Sequence, residues 1–207
     1  MPSCAITTLY TPEIEEMGRF TAYNKSTYAY RHVYGFMCSD KTLDPTRPPA
    51  WSKLLLVLQA MERFDWVFWS DADAVITAMD RKLDEFMDAA ADMVICRDHI
   101  CVSAGNFLVR SCPASRAFIK LAWEQTQYIN HHWWEQAAFI HLMDNNFLPA
   151  CRIKVLPCRA FNSYDPCKGP DFADCFWQPG DFLVHATQAA DRLAILKRYV
   201  GAQNGVG

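Results

Sequence analysis

The amino-acid sequence predicts an α/β fold in which a central, mostly parallel mixed sheet is flanked by helices. Strand-like and helix-like segments alternate along the first seventy residues, as in parallel sheets whose faces are covered by helices. The chain has 207 residues, enough for one sizeable core. Its composition, 51% hydrophobic and 21% charged, is typical of a globular protein. We therefore expect a single domain.

The first half of the chain supplies the clearest elements. CAITTLY predicts a buried strand, and the Thr11-Pro12-Glu13 that follows predicts the start of a helix over about residues 12–30. HVYGFMC predicts a second strand and SDKTLDPTRPP a loop. WSKLLLVLQAMERF has the length and composition of a helix, and it leads into the strand DWVFWS, which ends at Asp71.

The second half of the chain also alternates between predicted strands and helices, and it contains a long loop near its end. AFNSYDPCKGPDFADCFWQPG is rich in turn residues and aromatics, and long loops inside compact domains are usually functional. GAQNGVG is expected to form a flexible tail. The remaining predicted elements are a helix over about residues 83–90, strands DMVIC and GNFLVR, a helix over about residues 113–128, a helix HHWWEQAAFIHLMDNN, and strands IKVLP and DFLVH.

Charge, cysteine content and hydropathy narrow the function classes. The net charge of -3 comes from dispersed residues with no basic block, which argues against a nucleic-acid partner. The N-terminus lacks the features of a signal peptide, and there is no long apolar run, so we expect a cytoplasmic protein without a membrane span. The nine cysteines are expected to be reduced, because their number is odd and the sequence shows no export signal. Their spacing does not favour structural zinc.

Two carboxylates follow the apolar strand, at Asp71 and Asp73. Residues i and i+2 of an extended segment point to the same side, with Cα atoms roughly 6.6 Å apart. Two anions that close need a shared proton or a cation between them, and a hard divalent ion with oxygen ligands is the usual solution. The alternative is that Asp73 caps a following helix while Asp71 is solvated. Neither residue has a lysine or arginine next to it in sequence, which favours the metal.

The apolar strand followed by D-A-D and V-I-T resembles the D-x-D signature of glycosyltransferases with the GT-A fold, a Rossmann-like α/β domain. The segments VSAGNFLVR, WEQAAFIHLM, FNSYDP and DFLVHATQ follow in the order of the galactosyl/mannosyl-type family, which includes plant xyloglucan xylosyltransferases and fungal galactosyltransferases. The opening TLYTPEIEEMGRFTAYNKSTYAYRHVYGF also resembles the N-terminal glycosyltransferase domain encoded by chlorella viruses, which acts on capsid-protein glycans.

The resemblance covers roughly residues 4–190 and implies one GT-A domain over residues 1–207. Its nucleotide-binding part would lie at about residues 1–110 and its acceptor side at about 111–200. It also implies a cofactor, Mn²⁺ or Mg²⁺, held by Asp71, Asp73 and His185. In this pattern Asp73 is the direct ligand and Asp71 is shared with the ribose. The alternative for His185 is a core histidine at the end of a strand.

The same resemblance implies a UDP-sugar donor, of the glucose or L-rhamnose type. Tyr10 would stack on uracil, unless it is a packing aromatic, and Lys53 would face the diphosphate, unless it is a solvated helix residue. Gly105 would permit close approach of the ligand. The full set of expected donor-binding residues is Thr8, Leu9, Tyr10, Thr11, Lys53, Ser70, Asp71, Gly105, Asn162 and Ser163.

Three residues are expected at the reacting sugar: Asn106, Glu135 and Gln136. The sequence departs from the D-D-Q form of the family by having Trp134 before Glu135, which leaves open whether Glu135 is a nucleophile or an ordinary helix residue. Trp177 is expected to be a platform for a sugar ring, although most tryptophans must be core residues. Tyr164 and Asp165 would lie beside Asn162 and Ser163 on the acceptor or diphosphate side.

The implied reaction is transfer of the sugar to a hydroxyl of an oligosaccharide or glycoprotein acceptor by a monomer or weak oligomer. Retention of configuration through attack from the face that the leaving group vacates is expected, rather than a covalent route through Glu135. Two alternatives remain. D-A-D-A-V also fits the nucleophile motif of haloacid-dehalogenase-type phosphatases, although that motif normally ends the first strand. A sugar-nucleotide or glycan-binding module without turnover is the other.

Overall fold

A six-stranded mixed sheet forms the centre of the fold in the computed structural model, which describes residues 2–145 and 151–204. Its strand order is β2-β1-β3-β6-β5-β7. Only β6 runs antiparallel to its neighbours in this sheet. The strands are β1 (Cys4–Leu9), β2 (Gly35–Ser39), β3 (Trp66–Ser70), β5 (Met93–Arg97), β6 (Val102–Arg110) and β7 (Ile153–Pro157). The predicted fold class is confirmed.

A second, three-stranded sheet has the order β4-β9-β8. It consists of β4 (Ala74–Ile76), β8 (Ser163–Tyr164) and β9 (Leu183–His185). Because β4 begins four residues after β3 ends, the segment that contains Asp71 and Asp73 connects the two sheets. Of its three strands, the sequence predicted only β9.

Helices cover both faces of the central sheet. They are α1 (Glu15–Arg31), α2 (Ser52–Met61), α3 (Pro113–Glu124), α4 (Trp134–Asp144) and α5 (Arg192–Asn204). One buried cluster joins α2, α3 and α4 to the side chains of one sheet face, among them Val67, Trp69 and Phe107. The other face, with Ile6 and Phe68, packs against α1 and the second sheet. The alternation of side chains along each strand produces this division.

Several predicted boundaries are wrong, for local reasons. The helix expected over residues 83–90 is a short 3-10 helix, Leu83–Phe86, because the side chain and carbonyl of Asp88 bind the backbone of the next turn instead. The helix expected to reach residue 128 ends at Glu124, where Gln125 leaves helical geometry. The helix HHWWEQAAFIHLMDNN begins only at Trp134, and its expected last residue, Asn146, lies outside the described residues.

The end of the chain also differs from expectation. The segment GAQNGVG was expected to be a tail, but its first four residues belong to α5, and the last three lie outside the described residues. All nine cysteines are free thiols, as expected. Over residues 2–145 and 151–204, no helix combines the length and apolarity needed to cross a membrane.

Candidate active site

A cavity of about 900 Å³ opens at the carboxyl ends of β1 and β3. Ligands of open α/β sheets collect at this edge. Ten of the residues predicted at the site line this central cavity: Leu9, Tyr10, Thr11, Lys53, Asp71, Asp73, Gly105, Glu135, Gln136 and His185.

Asp71, Asp73 and His185 form a cluster in which one potential ligand atom from each residue lies within 4.8 Å of the others. Pairing between strands far apart in sequence builds the cluster. In the antiparallel pair of β4 and β9, Ala74 lies opposite His185, and the amide of Ala186 donates to the carbonyl of Asp73 at 2.8 Å. The capping alternative for Asp73 is wrong, since a strand and not a helix follows it.

Asn162 orients His185. The Oδ1 atom of Asn162 lies 3.1 Å from His185 Nδ1 and accepts a hydrogen bond of 2.8 Å from Asn106 Nδ2. Because that oxygen accepts, Nδ1 donates to it, and Nε2, which lies 3.1 Å from Asp73 Oδ1, is the ring nitrogen that faces the aspartates.

The donor atoms of the cluster suit a hard divalent ion. Neighbouring ligand atoms around an octahedral ion with bonds of about 2.1 Å lie about 3 Å apart, similar to the 3.1 Å between His185 Nε2 and Asp73 Oδ1. Gly105 keeps the space open, because a β carbon there would stand 2.3 Å from His185 Cε1 and 3.2 Å from Asp71 Oδ2. The two carboxylates and the histidine therefore fit an ion such as Mn²⁺ or Mg²⁺.

Asp73 is held as an anion. Burial alone raises the pKa of its carboxyl, but His185 and Arg192 outweigh that effect and hold the pKa well below its usual range. Arg192 Nη1 lies 3.1 Å from Asp73 Oδ2. Arg192 is the first residue of α5 and lines the central cavity.

Trp69 and Lys53 both bind the carboxylate of Asp71. Its Oδ1 accepts from Trp69 Nε1 at 2.7 Å and from Lys53 Nζ at 2.9 Å. Lys53 Nζ also contacts Glu135 Oε1 at 2.6 Å and the carbonyl of Ala104 at 3.1 Å. Although burial lowers the pKa of Lys53, the two carboxylates raise it overall, so the residue is a cation.

These contacts correct both predictions for Lys53. The residue is buried, so it is not a solvated helix residue. Its three ammonium protons have three partners within the protein, so it does not have a donor left for a diphosphate. Lys53 instead fixes Asp71 and Glu135 relative to each other.

Helix α1 binds the backbone that carries the two aspartates. Lys25 Nζ donates to the carbonyl of Asp71 at 2.8 Å, and Thr21 Oγ1 donates to the carbonyl of Ala72 at 2.9 Å. Asn24 binds both the amide and the carbonyl of Ile76, at 2.8 and 3.0 Å. Burial lowers the pKa of Lys25 to about 8, although Asp73 and Asp71 oppose the shift. Three buried side chains thus determine the path of the chain from residue 71 to residue 76.

Glu135 and Gln136 occupy the part of the cavity wall formed by the start of α4. Burial raises the pKa of Glu135 despite the contact with Lys53. Its Oε2 is buried without a hydrogen-bond partner among the described residues. Gln136 Oε1 accepts from the amide of Ala104 at 3.0 Å. An unpaired buried oxygen on a cavity wall is a position where a ligand hydroxyl can bind.

Tyr10 lies between the cavity and α1. A β carbon on Gly18 would stand 2.1 Å from Tyr10 Cγ, so the ring packs directly on the backbone of the helix. Tyr10 also lines the cavity. The ring is therefore a packing residue that is held in place with one side available to the cavity.

The sequence matches the model of the galactosyl transferase GMA12/MNN10 family over residues 10–93 and 82–190. The chain belongs to this family. It is 23% identical over 207 residues to an alpha-1,2-galactosyltransferase of Schizosaccharomyces pombe, a match that covers 78% of this chain and 53% of that protein. It is 26% identical over 183 residues to the "probable alpha-1,6-mannosyltransferase MNN10" of Saccharomyces cerevisiae, with 69% and 47% covered. The chain spans between 53% and 64% of the length of three such fission-yeast relatives.

Solved structures of glycosyltransferases share the fold. One is a glycosyltransferase involved in the glycosylation of the major capsid of PBCV-1, with a TM-score of 0.76 and 17% identity over 95% of this chain and 100% of that one. Another is the galactosyltransferase LgtC in complex with donor and acceptor sugar analogs, with a TM-score of 0.60 and 11% identity over 97% and 95% of the two chains. The predicted GT-A fold is thereby confirmed.

Not all residues predicted from the family pattern reach the cavity. Asn106 and Asn162 lie behind it and support His185, and Ser163 donates to Asp181 Oδ2 at 2.8 Å. Thr8 and Ser70 are buried, and their hydroxyls have no hydrogen-bond partner among the described residues. None of these five residues lines the cavity.

The predicted sugar platform at Trp177 is also not part of the cavity wall. Its ring packs against Tyr199 with centroids 4.9 Å apart, and its Nε1 donates to Thr77 Oγ1 at 2.9 Å. Tyr164 does line the cavity, and its hydroxyl donates to Asp98 Oδ2 at 2.9 Å. Asp165 is buried and accepts from Tyr199 and Arg198. The long loop thus contributes fewer ligand-facing residues than its composition indicated.

Sequence reasoning missed three cations near the site: Lys25, Lys168 and Arg192. Thr21, Asn24 and Lys25 have the spacing of one helix face, so the sequence could have predicted a polar face on α1. Lys168 lines the cavity and donates to Gln188 Oε1 at 2.8 Å. Arg192 follows His185 by seven residues, and no motif marks it.

Proposed function

We propose that this member of the galactosyl transferase GMA12/MNN10 family transfers a sugar from a UDP-sugar to a hydroxyl of a glycan acceptor, using Mn²⁺ or Mg²⁺ and retaining the configuration of the sugar. The observation that carries the proposal is the cluster of Asp71, Asp73 and His185 at the wall of a cavity large enough for a nucleotide-sugar.

The metal, held by Asp71, Asp73 and His185, would act as a Lewis acid on the negative charge that develops on the diphosphate leaving group. The protein prepares the site for that charge. Lys53 and Lys25 fix the position of Asp71, and Asn162 fixes the protonated nitrogen of His185, so that the ligand atoms need little rearrangement.

The nucleoside would bind where β1 ends, beside Leu9, Tyr10 and Thr11. The Tyr10 ring, fixed against Gly18, offers a flat surface to the uracil base. The donor sugar would then lie toward Gly105, Glu135 and Gln136, where the unpaired Glu135 Oε2 can accept a hydrogen bond from a sugar hydroxyl.

The proposed route to retention does not use Glu135 as a nucleophile. Its other carboxylate oxygen contacts Lys53 at 2.6 Å, and this pairing reduces its reactivity as a nucleophile. An acceptor hydroxyl can instead attack from the face that the leaving diphosphate vacates and transfer its proton to a diphosphate oxygen. The role of Glu135 is then to place negative charge near a cationic, oxocarbenium-like sugar.

The proposed donor sugar and acceptor rest on the relatives and on the resemblance of the sequence. The family description and the yeast relatives name galactosyl and mannosyl transfer, whereas the opening of the sequence resembles chlorella-virus domains. On that resemblance we propose glucose or L-rhamnose as the donor sugar and a viral capsid glycoprotein as the acceptor.

A product assay tests the proposal. The protein with Mn²⁺ is incubated with UDP-glucose, UDP-L-rhamnose, UDP-galactose and GDP-mannose in turn, each with oligosaccharide acceptors. Released nucleotide and glycosylated product are measured, and the anomeric configuration is read by nuclear magnetic resonance. We expect one UDP-sugar to give product with retention, and we expect chelation of the metal to abolish turnover.

Two variants, one at the proposed metal site and one at an exposed control position, test whether turnover depends on that site. Asp73→Asn should lower turnover by about 10²–10³-fold, because it removes a charged ligand from the metal. Asp80→Asn, at an exposed aspartate paired with Arg31, should leave turnover unchanged. Hydrolysis of p-nitrophenyl phosphate without use of any nucleotide-sugar would instead support the phosphatase alternative. Binding of UDP without turnover of any donor would support the binding module.

A further inference from the structure

A chain of hydrogen bonds connects the turn between β5 and β6 to His185. Asp98, in that turn, contacts the hydroxyl of Tyr164 through Oδ2 at 2.9 Å, and the hydroxyl contacts Asn162 Nδ2 at 3.1 Å. At the other end of the amide, Asn162 Oδ1 lies 3.1 Å from His185 Nδ1. Tyr164, Asn162 and His185 are buried, so neighbouring side chains determine the direction of each hydrogen bond.

The carboxylate of Asp98 fixes the direction of the first hydrogen bond. Its Oδ1 accepts from the amides of Ile100 and Cys101 at 2.8 and 2.9 Å. Because an ionised carboxylate only accepts, the single proton of the Tyr164 hydroxyl is directed at Asp98 Oδ2. Burial raises the pKa of Tyr164 above its usual range, and Asp98 adds to the rise, so the hydroxyl keeps its proton at neutral pH.

That direction determines how the Asn162 amide is oriented. The oxygen of Tyr164 can only accept from Asn162, because its own proton is directed at Asp98. The amide nitrogen of Asn162 therefore faces Tyr164, and the amide oxygen faces His185 Nδ1. A proton on Nδ1 leaves the lone pair of a neutral imidazole on Nε2, which is the nitrogen beside Asp73.

The other partners of Asn162 are compatible with either orientation of its amide. Asn106 Nδ2 donates to Asn162 Oδ1 at 2.8 Å, but Asn106 Oδ1 is buried and has no hydrogen-bond partner among the described residues. Reversal of both amides would therefore preserve a hydrogen bond between them. Ser103 Oγ, 3.4 Å from Asn162 Oδ1, can donate or accept, and the thiol of Cys158, 3.8 Å from Asn162 Nδ2, is a weak partner. Asp98 is therefore the group that gives the chain its direction.

Asp73, at the opposite end of the chain, favours the reverse direction. Its Oδ1 lies 3.1 Å from His185 Nε2 and also accepts hydrogen bonds. If Asp98 did not oppose it, Nε2 would donate to Asp73, and Nδ1 would accept from a reversed Asn162 amide. Nε2 would then have no lone pair for a metal ion.

We infer that Asp98 is a positioning residue for His185. Acting through the hydroxyl of Tyr164 and the amide of Asn162, its carboxylate makes Nδ1 the donor nitrogen and keeps Nε2 available to a metal. Groups that orient a metal-binding histidine in this way contribute to metal affinity without touching the ion. The inference rests on the proposed metal site, although the position of the ring proton is measurable without a metal.

Asp98→Asn reverses the first hydrogen bond with little change in shape. The asparagine oxygen still accepts from the amides of Ile100 and Cys101, whereas its amide nitrogen donates to Tyr164. Long-range nitrogen–proton NMR spectra of the metal-free protein, assigned with His185→Gln, locate the ring proton. We expect a proton on Nδ1 of His185 in the unaltered protein and on Nε2 alone in Asp98→Asn. Mn²⁺ affinity, measured by electron paramagnetic resonance, should fall about tenfold in the variant.

Two controls separate this hydrogen-bond chain from a general effect of charge. Asp88→Asn is the matched control, since Asp88 Oδ1 also accepts from a turn amide, that of Ala90 at 2.8 Å, and Asp88 does not line the cavity. It should change neither readout. In a Tyr164→Phe background, where the chain is interrupted, Asp98→Asn should have no further effect on the ring proton or on Mn²⁺ affinity. Thermal unfolding verifies that each variant is folded.

The outcomes separate the inference from the function on which it rests. Loss of the Nδ1 proton and weaker Mn²⁺ binding in Asp98→Asn, with no further change in the Tyr164→Phe background, support the inference. An unchanged ring proton, or equal losses of Mn²⁺ affinity with and without the Tyr164 hydroxyl, overturn it. If the unaltered protein does not bind Mn²⁺, the proposed function and the part of the inference that concerns the metal are both wrong, whereas the NMR comparison still decides whether Asp98 directs the ring proton.

Discussion

The two sheets of this protein are built in different ways. The six-stranded sheet consists mainly of buried apolar strands, as in β1 and β3, in which every residue is buried. The three-stranded sheet is short and joins residues 74–76 to residues 183–185, more than a hundred positions away. The large sheet provides most of the core, and the small sheet, whose strands are also fully buried, brings His185 to Asp73. The comparison indicates that the position of His185 beside Asp73 depends on the small sheet.

Polar contacts add to the buried apolar side chains that hold the small sheet in place. Arg159 and Ser163 both bind the carboxylate of Asp181, just before β9. The amides of Thr77 and Ala78 donate to the carbonyl of Phe182 at 2.9 and 3.1 Å. Loss of these polar contacts should therefore alter the position of His185 relative to Asp73.

The largest expected effect is a loss of stability when the buried cation between Asp71 and Glu135 is removed. Lys53→Met leaves the carboxylates of Asp71 and Glu135 without their buried cation, which typically costs about 3–5 kcal/mol in the free energy of unfolding. Urea denaturation measures this loss. Lys197→Met, at an exposed pair with Glu16, is the control and should cost about 1 kcal/mol or less. Equal costs for the two variants would contradict the role of Lys53 in fixing Asp71 and Glu135 relative to each other.

An intermediate effect is expected at Asn162, the residue before strand β8 of the small sheet. Asn162→Ala removes the acceptor for His185 Nδ1 and should weaken Mn²⁺ binding by about 10–100-fold, as is typical of groups that orient a metal ligand. Electron paramagnetic resonance of bound Mn²⁺ measures the change. Ser163→Ala, one residue along, removes only the contact with Asp181 and should destabilise the protein by about 1 kcal/mol. The orienting role of Asn162 is refuted if both variants bind Mn²⁺ equally.

A smaller effect is expected at the nucleoside end of the cavity. Gly18→Ala places a β carbon against the Tyr10 ring and should weaken UDP binding by about tenfold or less, through displacement of the ring. Binding of Mn²⁺ alone should not change. In a Tyr10→Ala background the same substitution should have little further effect on UDP affinity, a test that a double-mutant cycle provides. Additive losses would show that the two residues act separately.

The difference between the sheets also explains what the sequence could predict. Apolar runs specified β1, β3 and β7, and IKVLP is found as a strand with the predicted bounds. The cluster of Asp71, Asp73 and His185 could be predicted because a short motif and the family resemblance marked these residues. Strands β4 and β8, of three and two residues, carry too little local pattern to be recognised.

The roles of the cations could not be predicted, because each depends on a contact across the fold. Lys53 lies 18 positions before Asp71 and 82 before Glu135, and nothing local shows that it joins them. Arg192 reaches Asp73 only because β9 turns back beside β4 before α5 begins. A sequence pattern indicates which residue types are present, whereas tertiary pairing determines which charges compensate one another.

The measurement that tests the central claim most directly is calorimetric titration of UDP into the protein with and without Mn²⁺, repeated on Asp73→Ala. If the two sheets together form a metal–diphosphate site, UDP should bind only with Mn²⁺, and the substitution should weaken binding by about 10²-fold or more. Binding that is independent of the metal, or equally strong in Asp73→Ala, would contradict the assignment of Asp71, Asp73 and His185 as the site of the donor diphosphate.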